Sequence, residues 1–151
     1  MSIIVDVQFA VKKRNQLPSK KQLVSWAKTA LNGIMDRALL TIRIVDEDEG
    51  KLLNEQWREG KKGATNVLSF PVGNDEFVEP GYLGDIVICA PVVLREATEQ
   101  DKSPLAHWAH MVIHGVLHLL GYDHENEADA NVMESLEIEK LDSLGYGNPY
   151  N

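Results

Sequence analysis

From Ser103 to Gly121 the chain offers water almost no polar face. Leu105, Trp108, Ala109, Val112, Ile113, Val116, Leu117 and Leu120 recur at helical spacing and surround the axis. A helix apolar nearly all round is a buried one. Ser103-Pro104 gives an N-cap followed by proline at the first helical position. Gly121 can take the left-handed conformation that ends a helix. Whatever fold forms has to be built around this helix, which carries His107, His110, His114 and His118, with His124 just past its end.

Residues four apart on a helix lie on one face, one above the other, so His114 and His118 can point at one ion. The glycine stop turns the chain back, and His124 can enter from the far side. Three imidazoles with one open position suit a catalytic zinc site better than a closed structural one. A histidine pair in an apolar helix is by itself more often core or surface than ligand. The glycine and the third histidine of His-x-x-x-His-x-x-Gly-x-x-His reverse that weighting. His110 cannot replace His124: it lies eight residues from His118, about 12 Å along a straight helix at 1.5 Å per residue. It is left as a partner behind a ligand, a cleft residue or an ordinary polar helix position. In zinc peptidases of this spacing the residue after the first histidine is a glutamate base. Here it is Gly115, so the ligands are present and the peptidase base is absent.

The rest of the chain reads as β-α-β-α-β-β-α-α-α. Ile3 to Phe9 alternates as a half-buried strand, and Ser19 caps a helix through Leu23, Trp26, Ala27, Ala30, Leu31 and Ile34. Leu39 to Val45 is a second strand. The acidic run Asp46-Glu47-Asp48-Glu49 is best explained as negative charge at a helix N-terminus; that helix runs through Leu52, Leu53, Gln56 and Trp57, with Gly60 and Gly63 ending it. Thr65 to Phe70 is a brief strand closed by Pro71. A loop follows, bracketed by Gly73-Asn74-Asp75-Glu76 and Glu79-Pro80-Gly81. Tyr82 to Ala90 reads as a central strand, and Pro91 opens a helix to about Gln100. A last helix spans about Glu127 to Leu144, with the tail from Gly145 expected to be loose. Asp85 enters a buried strand and needs a partner, either backbone or a site residue. Asp123, Glu125 and Glu127 flank His124; one could support a ligand imidazole, but helix capping is favoured for the two glutamates. The order of elements gives one α+β domain over residues 1–151, a small mixed sheet packed with helices.

Composition sets the outer limits. Hydrophobic content of 44% and charged content of 25% are those of a globular protein. One cysteine, Cys89, cannot form an internal disulfide and suits the cytoplasm; as a small buried hydrophobe it needs no further role. No stretch is apolar enough to span a membrane, and the N-terminus lacks signal-peptide features. The net charge of −8 disfavours nucleic acid only in total. Residues 1–62 carry 12 Lys and Arg against 8 Asp and Glu, whereas residues 63–151 carry 3 against 15. A basic face is compatible with that split, as are simply solvated lysines.

Arg58 with Thr65-Asn66-Val67-Leu68-Ser69-Phe70-Pro71, Leu83-Gly84-Asp85-Ile86 and His114 to His124 resemble, in order and spacing, the YbeY family. The resemblance covers most of the chain. It implies a small α+β domain with a three-histidine site in a cleft, one Zn2+ on His114, His118 and His124, and a functional arginine at Arg58. It also implies a metal-dependent endoribonuclease acting on single-stranded RNA in ribosomal RNA processing. That role covers maturation of the 3′ end of the small-subunit (16S) ribosomal RNA and ribosome quality control. Partners would be ribosomal RNA and the small ribosomal subunit, with no membrane. Lys61 and Lys62, close behind Arg58, would extend the cationic group toward RNA. Two other readings compete: a zinc peptidase with its base supplied elsewhere, and a non-catalytic ribosome-assembly factor whose metal holds the fold.

Overall fold

The buried helix is the centre of the molecule. In the computed structural model, which describes residues 2–14, 16–58, 62–72 and 81–151, it spans Pro104–Leu119 (α4). Around it lie β1 (Ser2–Ala10), α1 (Lys20–Leu31), β2 (Arg37–Val45), α2 (Glu47–Trp57), β3 (Val67–Pro71), β4 (Tyr82–Cys89), α3 (Ala90–Glu99) and α5 (Glu127–Ser143). The expected order of elements is the observed one. The loop expected across Gly73 to Pro80, and Gly60 and Lys61 after α2, lie outside the described residues.

Four strands form one sheet in the order β1-β2-β4-β3. β1 pairs parallel to β2 and β2 parallel to β4, while β3 runs antiparallel to β4 at the edge. Pro71 is tolerated because it ends an edge strand, where a missing N–H breaks no internal ladder. One face, through Leu40, Ile42, Ile44, Ile86 and Ile88, packs on α4 and α1, and α5 packs against those helices. Val112, Ile113, Val116 and Leu117 of α4 are fully buried, each contributing about 1.5–3 kcal/mol of transfer free energy. A smaller cluster of Val45, Leu68, Val87, Cys89 and Val92 lies on the other face of the sheet, with Leu53 of α2 packed against it.

Local rules explain the ends of the helices. Ser19 and Gln22 form a reciprocal capping box on α1, and Ser103 accepts from the Ala106 amide at 3.5 Å on α4. The acidic run falls on the first turn of α2, Glu47, Asp48 and Glu49, where the dipole favours it. On α5 the expected capping glutamates are superseded. Asn126 is the N-cap, accepting from the Asp129 amide at 2.8 Å, because its short side chain reaches the free amide three residues on.

Two corrections concern β4 and the tail. Register shifts between Leu39 and Leu40 against β4, so Leu83 is a bulge. Gly84 beside it has φ +137°, and a Cβ there would lie 2.2 Å from the Phe70 carbonyl oxygen, so only glycine fits. Residues three apart on a regular strand face opposite sides; the bulge brings Tyr82 and Asp85 to one side, where the Tyr82 hydroxyl donates to Asp85. The tail is not loose. Gly145, at φ +87°, turns the chain back off α5, Lys102 Nζ donates to the Pro149 carbonyl at 2.6 Å, and Tyr150 donates to a buried carboxylate. No helix among the described residues is long and apolar enough to cross a membrane.

Candidate metal centre

His114 and His118 stand one turn apart near the end of α4. The helix then closes in a Schellman turn: the Gly121 amide donates to His118 O at 3.0 Å and the Tyr122 amide to Leu117 O at 3.1 Å. Gly121 has φ +100°, the conformation that reverses the chain. The reversal carries His124 back over the helix end. Its ring centroid lies 5.6 Å from that of His114 and 5.1 Å from that of His118. One nitrogen from each of the three rings lies within 4.8 Å of the others.

Nε2 of His114 and Nε2 of His118 are 3.1 Å apart. Ligands 2.0–2.1 Å from a tetrahedral ion stand about 3.3 Å from one another, so this pair already has the edge length of a zinc site. Burial, with the neighbouring His114 and His124, lowers the His118 pKa to about 4. At neutral pH His118 is thus the uncharged imidazole that ligation requires. The donor set and its spacing fit a zinc ion.

Behind His114 lies a carboxylate that sequence reasoning missed. Glu137 of α5 is 1% exposed. Its Oε2 accepts from His110 Nε2 at 2.6 Å and His114 Nδ1 at 3.1 Å, and its Oε1 accepts from the Tyr150 hydroxyl at 2.8 Å. Burial alone would raise this carboxyl. The hydrogen bonds from His110 and His114 outweigh it and hold the pKa down to about 2. An ionised carboxylate only accepts, so His114 carries its proton on Nδ1 and turns a bare Nε2 toward His118. Burial and Glu137 push the Tyr150 phenol up, which keeps it a donor. His110 therefore sits behind the site, not in the cleft. His110, His114 and Glu137 also form a group close enough to hold an ion, but Glu137 Oε2 is already taken by hydrogen bonds from both imidazoles.

The three histidines open onto a cleft of about 750 Å³ that Trp57, Arg58, Asn66, Ser69 and Phe70 also line. Arg58 caps α2 and is exposed. Its Nη1 donates to Asn54 Oδ1 at 3.5 Å, while buried Asn54 donates to the Gly63 carbonyl at 2.9 Å, tying the arginine's helix to the next loop. Lys62 is exposed and is not part of the cleft wall; Lys61 lies outside the described residues. Asp123 accepts from the His124 amide at 2.7 Å, and Glu125 lines the cleft. Asp85 faces away from the cleft, satisfied by Tyr82.

Gly115 has a steric reason. A Cβ there would meet Ile86 Cγ2 at 2.9 Å and Val67 Cγ2 at 3.3 Å, and its carbonyl accepts from the Ser69 hydroxyl at 3.0 Å. The sheet occupies the space a peptidase glutamate would need.

Fold and site together define a small α+β protein with a candidate three-histidine metal centre and an arginine in one open cleft. The YbeY endoribonuclease model matches residues 8–145, and the chain belongs to that family, nucleases that act on RNA. It is also similar to a Thermotoga maritima protein, TM1509, solved in solution. Identity is 27% over 93% of this chain and 89% of that one, with a TM-score of 0.61.

Proposed function

We propose that the protein is a metal-dependent, single-strand-specific endoribonuclease that matures ribosomal RNA, including the 3′ end of the small-subunit RNA, and serves ribosome quality control in the cytoplasm. The observation that carries the catalytic reading is the convergence of His114, His118 and His124 on one side of a cleft that Arg58 also lines. In this reading the three imidazoles hold one zinc ion per chain. When bound, the ion supplies Lewis acidity toward a phosphoryl oxygen and lowers the pKa of water. Arg58 binds the phosphate with two parallel N–H donors and stabilises the charge that grows on it in the transition state. Lys61 and Lys62, following Arg58 in the chain, add attraction for the RNA backbone. Gly115 argues against the peptidase reading, because the residue that would carry the base packs on the sheet. The open cleft argues against a purely structural metal, since structural zinc sites are closed.

The test is elemental analysis of the purified protein beside cleavage of single-stranded and duplex RNA, with and without a chelator. The expected result is about one zinc per chain and cleavage of the single strand that the chelator abolishes. Metal-free protein with full cleavage would refute the metal role.

A further inference from the structure

Trp57 is the last residue of α2 and is 62% exposed, while the other two tryptophans, Trp26 and Trp108, are buried. Leaving a large apolar ring in water is unfavourable. The ring is nonetheless held in place: it meets Phe70 edge to face, with centroids 6.0 Å apart and planes at 75°.

Its position is specific. The cleft with the three histidines adjoins a second cavity of about 810 Å³ on the far face of the sheet, lined by Thr41, Arg43, Tyr82 and Asp85 among others. Trp57, Ser69, Phe70 and Pro71 line both. They form the ridge between the cavities, and Arg58 follows Trp57 directly in the chain. Trp57 thus lines the histidine cleft beside Arg58, and a strand whose phosphate is held at Arg58 passes next to its ring.

We propose that Trp57 is a stacking platform for one unpaired base next to the phosphate held at Arg58. The proposal rests on the nuclease reading above and goes beyond it by assigning part of the single-strand selectivity to one residue. Aromatic stacking tolerates any base because every base has a π-face. It also requires an unstacked base, which a single strand provides and a duplex withholds.

The zinc-loaded parent, Trp57→Ala and Trp57→Phe are compared on a short single-stranded oligoribonucleotide and on its duplex. Loss of one stacked base corresponds to about 5- to 150-fold in affinity. Trp57→Ala should raise KM for the single strand within that range and narrow its preference over duplex, with kcat much less affected. Trp57→Phe should stay within a few-fold. Because the other tryptophans are buried, emission gives a readout that a structural role would not move. The single strand should quench the parent's tryptophan fluorescence, and Trp57→Phe should lose the quenching. A KM for Trp57→Ala within twofold of the parent, or quenching that survives Trp57→Phe, overturns the platform while leaving the nuclease reading intact. A parent that neither cleaves nor binds RNA overturns both.

Discussion

Glu137→Gln should weaken zinc binding without emptying the core. The substitution keeps the volume of a side chain that is 1% exposed, so no cavity forms. It replaces one acceptor oxygen by an NH2 donor where three donors converge, from His110, His114 and Tyr150. If the amide nitrogen takes the Oε2 position, it faces both imidazoles, and His114 is free to adopt the tautomer with its proton on Nε2. The ligand lone pair is then lost. If it takes the Oε1 position, it faces the Tyr150 hydroxyl, which can rotate to accept. In either case the hydrogen bond to His114 Nδ1 loses its ionic partner and roughly half its strength. Loss of such a partner behind a ligand histidine typically lowers metal affinity about 10- to 100-fold, or about 1.4–2.7 kcal/mol. Competition with a chromophoric zinc chelator measures it. Tyr150→Phe is the control: it removes a donor from the same carboxylate without touching His114, and should bind zinc within about threefold of the parent, a difference under about 0.7 kcal/mol. A Glu137→Gln affinity within twofold of the parent would refute the idea that this carboxylate sets the His114 tautomer.

Two further outcomes are expected. Arg58→Ala should retain bound zinc and melt near the parent temperature, because the side chain is exposed, yet cleave single-stranded RNA about 10²–10³-fold more slowly. Arg58→Lys should recover only part of this, and single-turnover rates within twofold of the parent would remove Arg58 from the site. Gly115→Glu, which recreates the peptidase pattern, should gain no chelator-sensitive proteolysis. It should lose about 3 kcal/mol or more from overpacking and a buried carboxylate, or roughly 6–12 °C in Tm; a stable, proteolytic variant would contradict the packing described for Gly115.

Much of this architecture was legible because the strongest signals were local. An apolar belt around α4, proline and serine at its start and glycine at its end specify a buried helix that stops where His124 can return. The order of strands and helices followed from alternation and caps in the same way. Glu137 was hidden because α5 is acidic along its length, and sequence alone does not say which of Glu134, Glu137 and Glu139 turns inward. A signal was nonetheless present: Glu137 stands midway between Met133 and Leu141 at i, i+4, i+8, so it lies on the apolar stripe. Tyr150 could not be read at all, since its role depends on Gly145 folding the tail back toward α5. The missing peptidase base was visible at Gly115, but the reason for it, contact with Ile86 and Val67, exists only once helix and sheet are packed. The Tyr82–Asp85 pair depended on a bulge that simple alternation does not contain.

The central claim is that His114, His118 and His124 hold one ion while His110 supports from behind. It is tested most directly by zinc content and affinity in His118→Ala and His110→Ala beside the parent. The account predicts about one zinc per parent chain, near none in His118→Ala, and near full occupancy in His110→Ala at saturating zinc. Equal loss in both variants, or full retention in His118→Ala, would contradict it.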